Sequence, residues 1–112
     1  MGNKSETIAA MLKENPVVTA PMAGITDRAY REILHGMRAG LCFWEMVSDK
    51  GLNYGDKKTD ALFNINGEEP WVGAQLCGSE PESMARAAVI IEKKGKEAGN
   101  LAVIDINMGC PV

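Results

Sequence analysis

Apolar positions along the chain recur in two rhythms. Val17-Val18-Thr19-Ala20, Leu41–Val47, Trp71–Leu76 and Leu101–Asn107 are short, rich in β-branched or aromatic residues, and bounded by Pro, Gly or Asn, which predicts four strands. Between them run helical stripes. Tyr30, Ile33, Leu34 and Met37 fall at i, i+3, i+4 and i+7, as do Met84, Ala87, Ala88 and Ile91. Thr26-Asp27 reads as the start of the first of these helices; Gly36 weakens it and Gly40 ends it. Ser79-Glu80-Pro81-Glu82 has the form of a capping box with Ser79 at the cap, and Gly95 or Gly99 ends the helix that follows. A further short helix, capped by Ser5 and ended by Asn15-Pro16, carries Ile8, Met11 and Leu12 on one face. Residues 48–68 read as a loop with at most a short helix near 57–63.

The order strand, helix, strand, loop, strand, helix, strand is that of βα units feeding a parallel sheet. Such sheets close in two common ways, as an open doubly wound sheet or as a TIM (β/α)8 barrel. Alternation along the strands separates them. Val72, Ala74 and Leu76 share one face of the third strand and Gly73 and Gln75 the other; on the fourth, Ile104 and Ile106 oppose Val103, Asp105 and Asn107. One face is apolar and suits helices, while the other is small or polar towards the strand ends. An open sheet covered on both sides would be apolar on both, so the pattern favours a barrel, with its active-site mouth at those ends. The expected organisation is an N-terminal helical extension over 1–15 and an α/β domain over 16–112, the N-terminal half of a barrel in about four βα units. Because a barrel needs eight strands and about 250 residues, and half of one leaves two strand edges unpaired, the chain is expected to be a fragment, inactive alone.

Composition narrows the functions. With 112 residues, 46% hydrophobic and 24% charged, the chain has ordinary globular make-up. Lys and Arg number 12 against 15 Asp and Glu, and neither half is basic, so the sequence shows no electrostatic footprint for nucleic acid. Lys93, Lys94 and Lys96 read as a solvated helix face. No apolar run reaches the length of a membrane span, and residues 1–5 lack the apolar core of a signal peptide. Three cysteines, an odd number, argue for a reducing compartment; the expected location is the cytoplasm. Their spacing follows the βα repeat and matches no zinc pattern, so no metal is expected.

Candidate chemistry lies at the strand ends. In Asn107-Met108-Gly109-Cys110-Pro111, Gly permits a sharp turn and Pro stiffens it, holding Cys110 where a thiol can act as acid, base or nucleophile; the other reading is a small buried hydrophobe. Cys42 and Cys77, in apolar strands, fit that second reading. Pro21-Met22-Ala23-Gly24 after the first strand lets backbone pass close to a flat ligand, or is simply a βα loop. Gln75 both donates and accepts, which suits an imide edge, unless water satisfies it. Asp105 reads as a buried carboxylate within a structural network, and His35 as an exposed helix residue. No Gly-rich phosphate cradle is present.

Together, "APMAGITDRAYR" (20–31), "WEMVSDKGLNYG" (44–55), "GAQLCGSEPE" (73–82) and "IDINMGCPV" (104–112) resemble the N-terminal half of a tRNA-dihydrouridine synthase. The resemblance spans nearly the whole chain from Pro16, and four blocks in order are specific where any one would not be. Tyr30 and Cys77 stand where Phe is commoner in that family. The resemblance implies a flavin-dependent barrel oxidoreductase acting on CH–CH bonds, reducing the C5=C6 bond of tRNA uridines with FMN recharged by NADPH. It implies that Pro21, Met22 and Ala23 lie at the flavin ring, that Gln75 bonds its pyrimidine edge, that Asn107 holds the uracil, and that Cys110 is the general acid. It also implies that a Lys and a His at the flavin, the phosphate loops and a tRNA-binding domain lie beyond Val112. Two alternatives are another FMN barrel, similar to dihydroorotate dehydrogenase, against which "APMAGITD" argues, and a non-catalytic half-barrel interaction module.

Overall fold

A computed structural model of the chain describes residues 4–57, 59 and 69–109. Its elements run α1 (Lys4–Glu14), β1 (Val18–Thr19), α2 (Arg28–Gly36), β2 (Leu41–Ser48), α3 (Asp49–Asn53), β3 (Val72–Cys77), α4 (Pro81–Ala98) and β4 (Leu101–Asn107). The strands form one four-stranded sheet in the order β1-β2-β3-β4, and every pairing is parallel. That order selects between the two closures. A doubly wound sheet reverses its strand order at a switch point; these four strands never reverse, as a barrel wound in one direction requires. The architecture is α/β, with four parallel strands of a partial TIM barrel.

The core lies between the sheet and the helices on its outer face. Trp44, Val47, Leu52, Val72, Ala74, Leu76, Ala87, Ile91 and Leu101 are buried together, with Met84, Ala88, Ile90 and Ile104 packed against them. Val72, Ala74 and Leu76 supply the outer face of β3, as their alternation predicts. Helix α4 lies close to β4 because Gly95 carries no side chain; a Cβ there would collide with Leu101. The helix ends at Gly99, in the left-handed region at φ 85°, where its N–H donates to the Gly95 carbonyl.

Several expectations are corrected. Helix α1 starts at Lys4, so Ser5 lies within it and is not its cap. The cap of α4 is Glu80, not Ser79, with no side-chain hydrogen bond to the helix end; Pro81 follows at the first position. Helix α2 starts where expected, with Asp27 as cap accepting from the Tyr30 N–H at 2.9 Å, but it ends at Gly36 and not at Gly40. Only half of its apolar stripe is covered: Tyr30 and Leu34 are half-buried, and the other two residues face solvent. Ile33 and Met37 are 63% and 75% exposed, while Arg31 is 1% exposed. The helix is rotated so that Arg31 and His35 face inward, because a buried acid awaits them. Arg31 Nε and Nη2 donate to Glu69 Oε1 and Oε2 at 2.8 and 3.3 Å, and Nη1 donates to the Thr26 carbonyl at 3.0 Å. The His35 side chain, expected to be exposed, is 7% exposed and lies 3.9 Å from Glu69. Helix α3 stands where a loop is expected. Ser48 caps it, accepting from the Gly51 N–H, and Leu52 anchors it in the core. The helix expected near 57–63 falls mostly outside the described residues.

Candidate active site at the strand ends

The inner face of the sheet is built by register. Parallel pairing sets Met46 beside Gln75, Gln75 beside Asp105, and Cys77 beside Asn107. Met46 reaches that face through a bulge. Between Phe43, which pairs with Gly73, and Met46, β2 carries two residues opposite the single Ala74. The extra residue turns Met46 inward instead of toward the helices. Phe43 fills the floor below, its ring occupying the space a side chain at 73 would take.

A chain of hydrogen bonds joins these residues. Gln75 Nε2 donates to Asp105 Oδ2 at 2.7 Å. Asn107 Nδ2 donates to Gln75 Oε1 and to Met46 Sδ, both at 3.3 Å. The Gly109 N–H donates to Asn107 Oδ1 at 2.9 Å, fixing the turn that leads toward position 110. Asp105, expected to be buried, is exposed on this face; its place in a polar network is as read. After these bonds Gln75 keeps one N–H and one carbonyl lone pair, and Asn107 keeps one lone pair on Oδ1.

Above Met46 and Asn107 lies a cleft of about 460 Å³, at the C-terminal ends of β2, β3 and β4 and lined also by Ser48, Asp49, Cys77 and Met108. Asp49 was not singled out from the sequence. Its side chain is buried: Oδ1 accepts from the Lys50 N–H at 2.7 Å, and Oδ2 finds no hydrogen-bond partner among the described residues. Ser48-Asp49 at a strand end, with Leu52 one turn on, is a helix-start signal that could have located it.

The turn after β1 is held separately. The Ile25 and Thr26 N–H groups donate to the Met22 carbonyl, each at 3.0 Å, and the Met22 N–H donates to Thr26 Oγ1 at 3.0 Å. Gly24, at φ 73°, donates its N–H to Glu45, a residue of the β2 bulge. Pro21 is half-buried, and Met22 and Ala23 are exposed at the rim. The structure therefore brings Gln75 and Asn107 together and ties the 21–24 turn to Glu45. Cys110 lies outside the described residues.

Cys42 sits elsewhere, fully buried with Sγ 3.7 Å from His35 Nδ1. Burial pushes its thiol pKa up and the Glu69 carboxylate adds to the rise, while Thr19 and Arg31 pull the other way. Among the described residues no group of three His, Cys, Asp or Glu is gathered to hold a metal ion, and no helix is long and apolar enough to cross a membrane.

Comparison with known proteins matches residues 18–112 to the family described as dihydrouridine synthase. The chain is 41% identical to tRNA-dihydrouridine synthase B of Yersinia pestis over 98 residues, 87% of this chain and 29% of that protein. The figures are the same for the Escherichia coli K12 protein of that name. For the Serratia marcescens protein identity is 40% over 98 residues, 28% of its length. The chain thus spans less than a third of these curated relatives.

Proposed function

The chain belongs to the dihydrouridine synthase family, and we propose that it forms the flavin-facing first four βα units of a barrel that reduces the C5=C6 bond of selected uridines in tRNA, with FMN as cofactor and NADPH as reductant. The observation that carries this reading is the inward-facing chain Asp105–Gln75–Asn107 at the strand ends, beside a turn tied down by Glu45. The donor set suits a flavin. Gln75 offers the remaining N–H and lone pair that a pyrimidine edge, with its own N–H beside a carbonyl, requires. Pro21, Met22 and Ala23 offer an apolar rim on which a flat ring can rest.

FMN held by Gln75 and resting on Pro21, Met22 and Ala23 would, when reduced, supply the hydride for C6 of the uracil. The protein's part is to hold the base and to complete the reduction with a proton. Asn107 Oδ1 accepts from the uracil imide N–H with its free lone pair. Hydride addition at C6 leaves enolate charge next to C5, and the thiol of Cys110, the residue after Gly109 in the sequence, donates its proton to C5. The uridine leaves its stack to enter the barrel mouth. The net charge of −3 on residues 1–112 supports a reading in which other parts of the protein contact the tRNA backbone.

In the native gene product, Cys110→Ala is expected to retain flavin absorbance and lose dihydrouridine formation in tRNA. Undiminished dihydrouridine, measured by mass spectrometry of tRNA from cells carrying only the variant, would refute the acid role.

A further inference from the structure

We propose that Asp105 is a positioning residue that sets the direction of the amides of Gln75 and Asn107 and, through them, the turn at Gly109. Side-chain amides can face either way, and a neighbour that only accepts removes the choice. An ionised carboxylate is such a neighbour. Asp105 Oδ2 can be met only by the NH2 of Gln75, which it takes at 2.7 Å. Gln75 Oε1 is thereby turned toward Asn107, which must bring its own NH2 to it, as it does at 3.3 Å. That leaves Asn107 Oδ1 for the Gly109 N–H at 2.9 Å. One polarity runs from the carboxylate to the turn, across two strands paired Gln75 to Asp105 and Cys77 to Asn107. The network also decides which atoms Gln75 and Asn107 have left for a ligand. Only in that last respect does the inference rest on the function proposed above.

Asp105→Asn keeps the shape and removes the direction, because an amide at 105 can present either an oxygen or an NH2. In the native gene product this variant is expected to speed hydrogen exchange of the Gly109 amide by roughly tenfold, the scale of one lost hydrogen bond. The Asn107 side-chain NH2 signals in 15N NMR should shift or broaden, with the β3 and β4 backbone signals retained. The double variant Gln75→Glu/Asp105→Asn is the rescue. The new amide at 105 donates to the new carboxylate at 75, whose second oxygen still accepts from Asn107, so Gly109 exchange should return to the parent rate. Unchanged Gly109 exchange and Asn107 signals in Asp105→Asn would overturn the proposal. So would a folded double variant that fails to restore them, or loss of the strand signals in Asp105→Asn, which would make Asp105 a residue of strand pairing. No step assays uridine reduction. A native product that holds no flavin yet shows the loss and rescue would count against the proposed function and for this inference.

Discussion

At the scale of single residues, burial and partner decide chemistry that residue type leaves open. Cys42 and Cys77 both read as small hydrophobes, and Cys42 is one, with its thiol pKa raised chiefly by burial above its ordinary value of 9.0. The sign follows from linkage. Because the unfolded chain releases this proton first, the contribution of Cys42 to stability is full below pH 9.0 and is lost as pH rises through the folded value. Urea unfolding at pH 8 and pH 10 should therefore show a fall in stability that shrinks in Cys42→Ala; identical pH dependence in the two proteins would contradict this. His35 marks where reading by residue type failed. A lone His on a helix is normally solvated, but the acid that buries it, Glu69, lies far along the chain, and no local pattern announces it.

At the scale of elements, local signals set where helices start better than they set which face turns inward. The Asp27 cap was legible because its hydrogen bond to the Tyr30 N–H is a short-range event. The rotation of α2 was not, since it follows from an ion pair with both side chains 2% exposed. Breaking such a pair strands a buried charge, so Glu69→Gln is expected to cost about 3 kcal/mol in urea unfolding. The apolar replacement Arg31→Met/Glu69→Leu should recover most of that, because it removes both charges. A Glu69→Gln variant as stable as the parent would show that the pair does not hold α2 in place. Helix α3 was missed because Gly51, Asn53 and Gly55 outweigh a cap and a single anchor in any local count, whereas packing of Leu52 into the core overrides propensity.

At the scale of the molecule, an unreversed parallel sheet leaves both of its outer edges without a strand partner among the described residues. An apolar groove of about 680 Å³, lined by Leu76, Met84, Ala88, Ile104, Ile106 and Met108, runs beside β4, with Ile106 57% and Met108 94% exposed. Open edges and an apolar groove are templates for association. Residues 1–112 expressed alone are expected to associate in a concentration-dependent way and to emerge without flavin. Ile106→Lys should weaken the association in size-exclusion chromatography with light scattering. A monomer at all concentrations, or stoichiometric flavin absorbance, would contradict this.

The succession of strands along the chain, the split of β3 and β4 into an apolar and a polar face, and the place of Gln75 and Asn107 at the polar strand ends were determined by the sequence alone, because alternation and turn chemistry act within a few residues. Tertiary structure alone decided how those candidates are wired. The β2 bulge brings Met46 inward, register sets Gln75 against Asp105 and brings Asn107 within reach of Gln75, and Glu45 reaches across to the turn after β1. Those are contacts between segments 21 to 61 residues apart, and only the pairing of the strands brings such segments within hydrogen-bond reach.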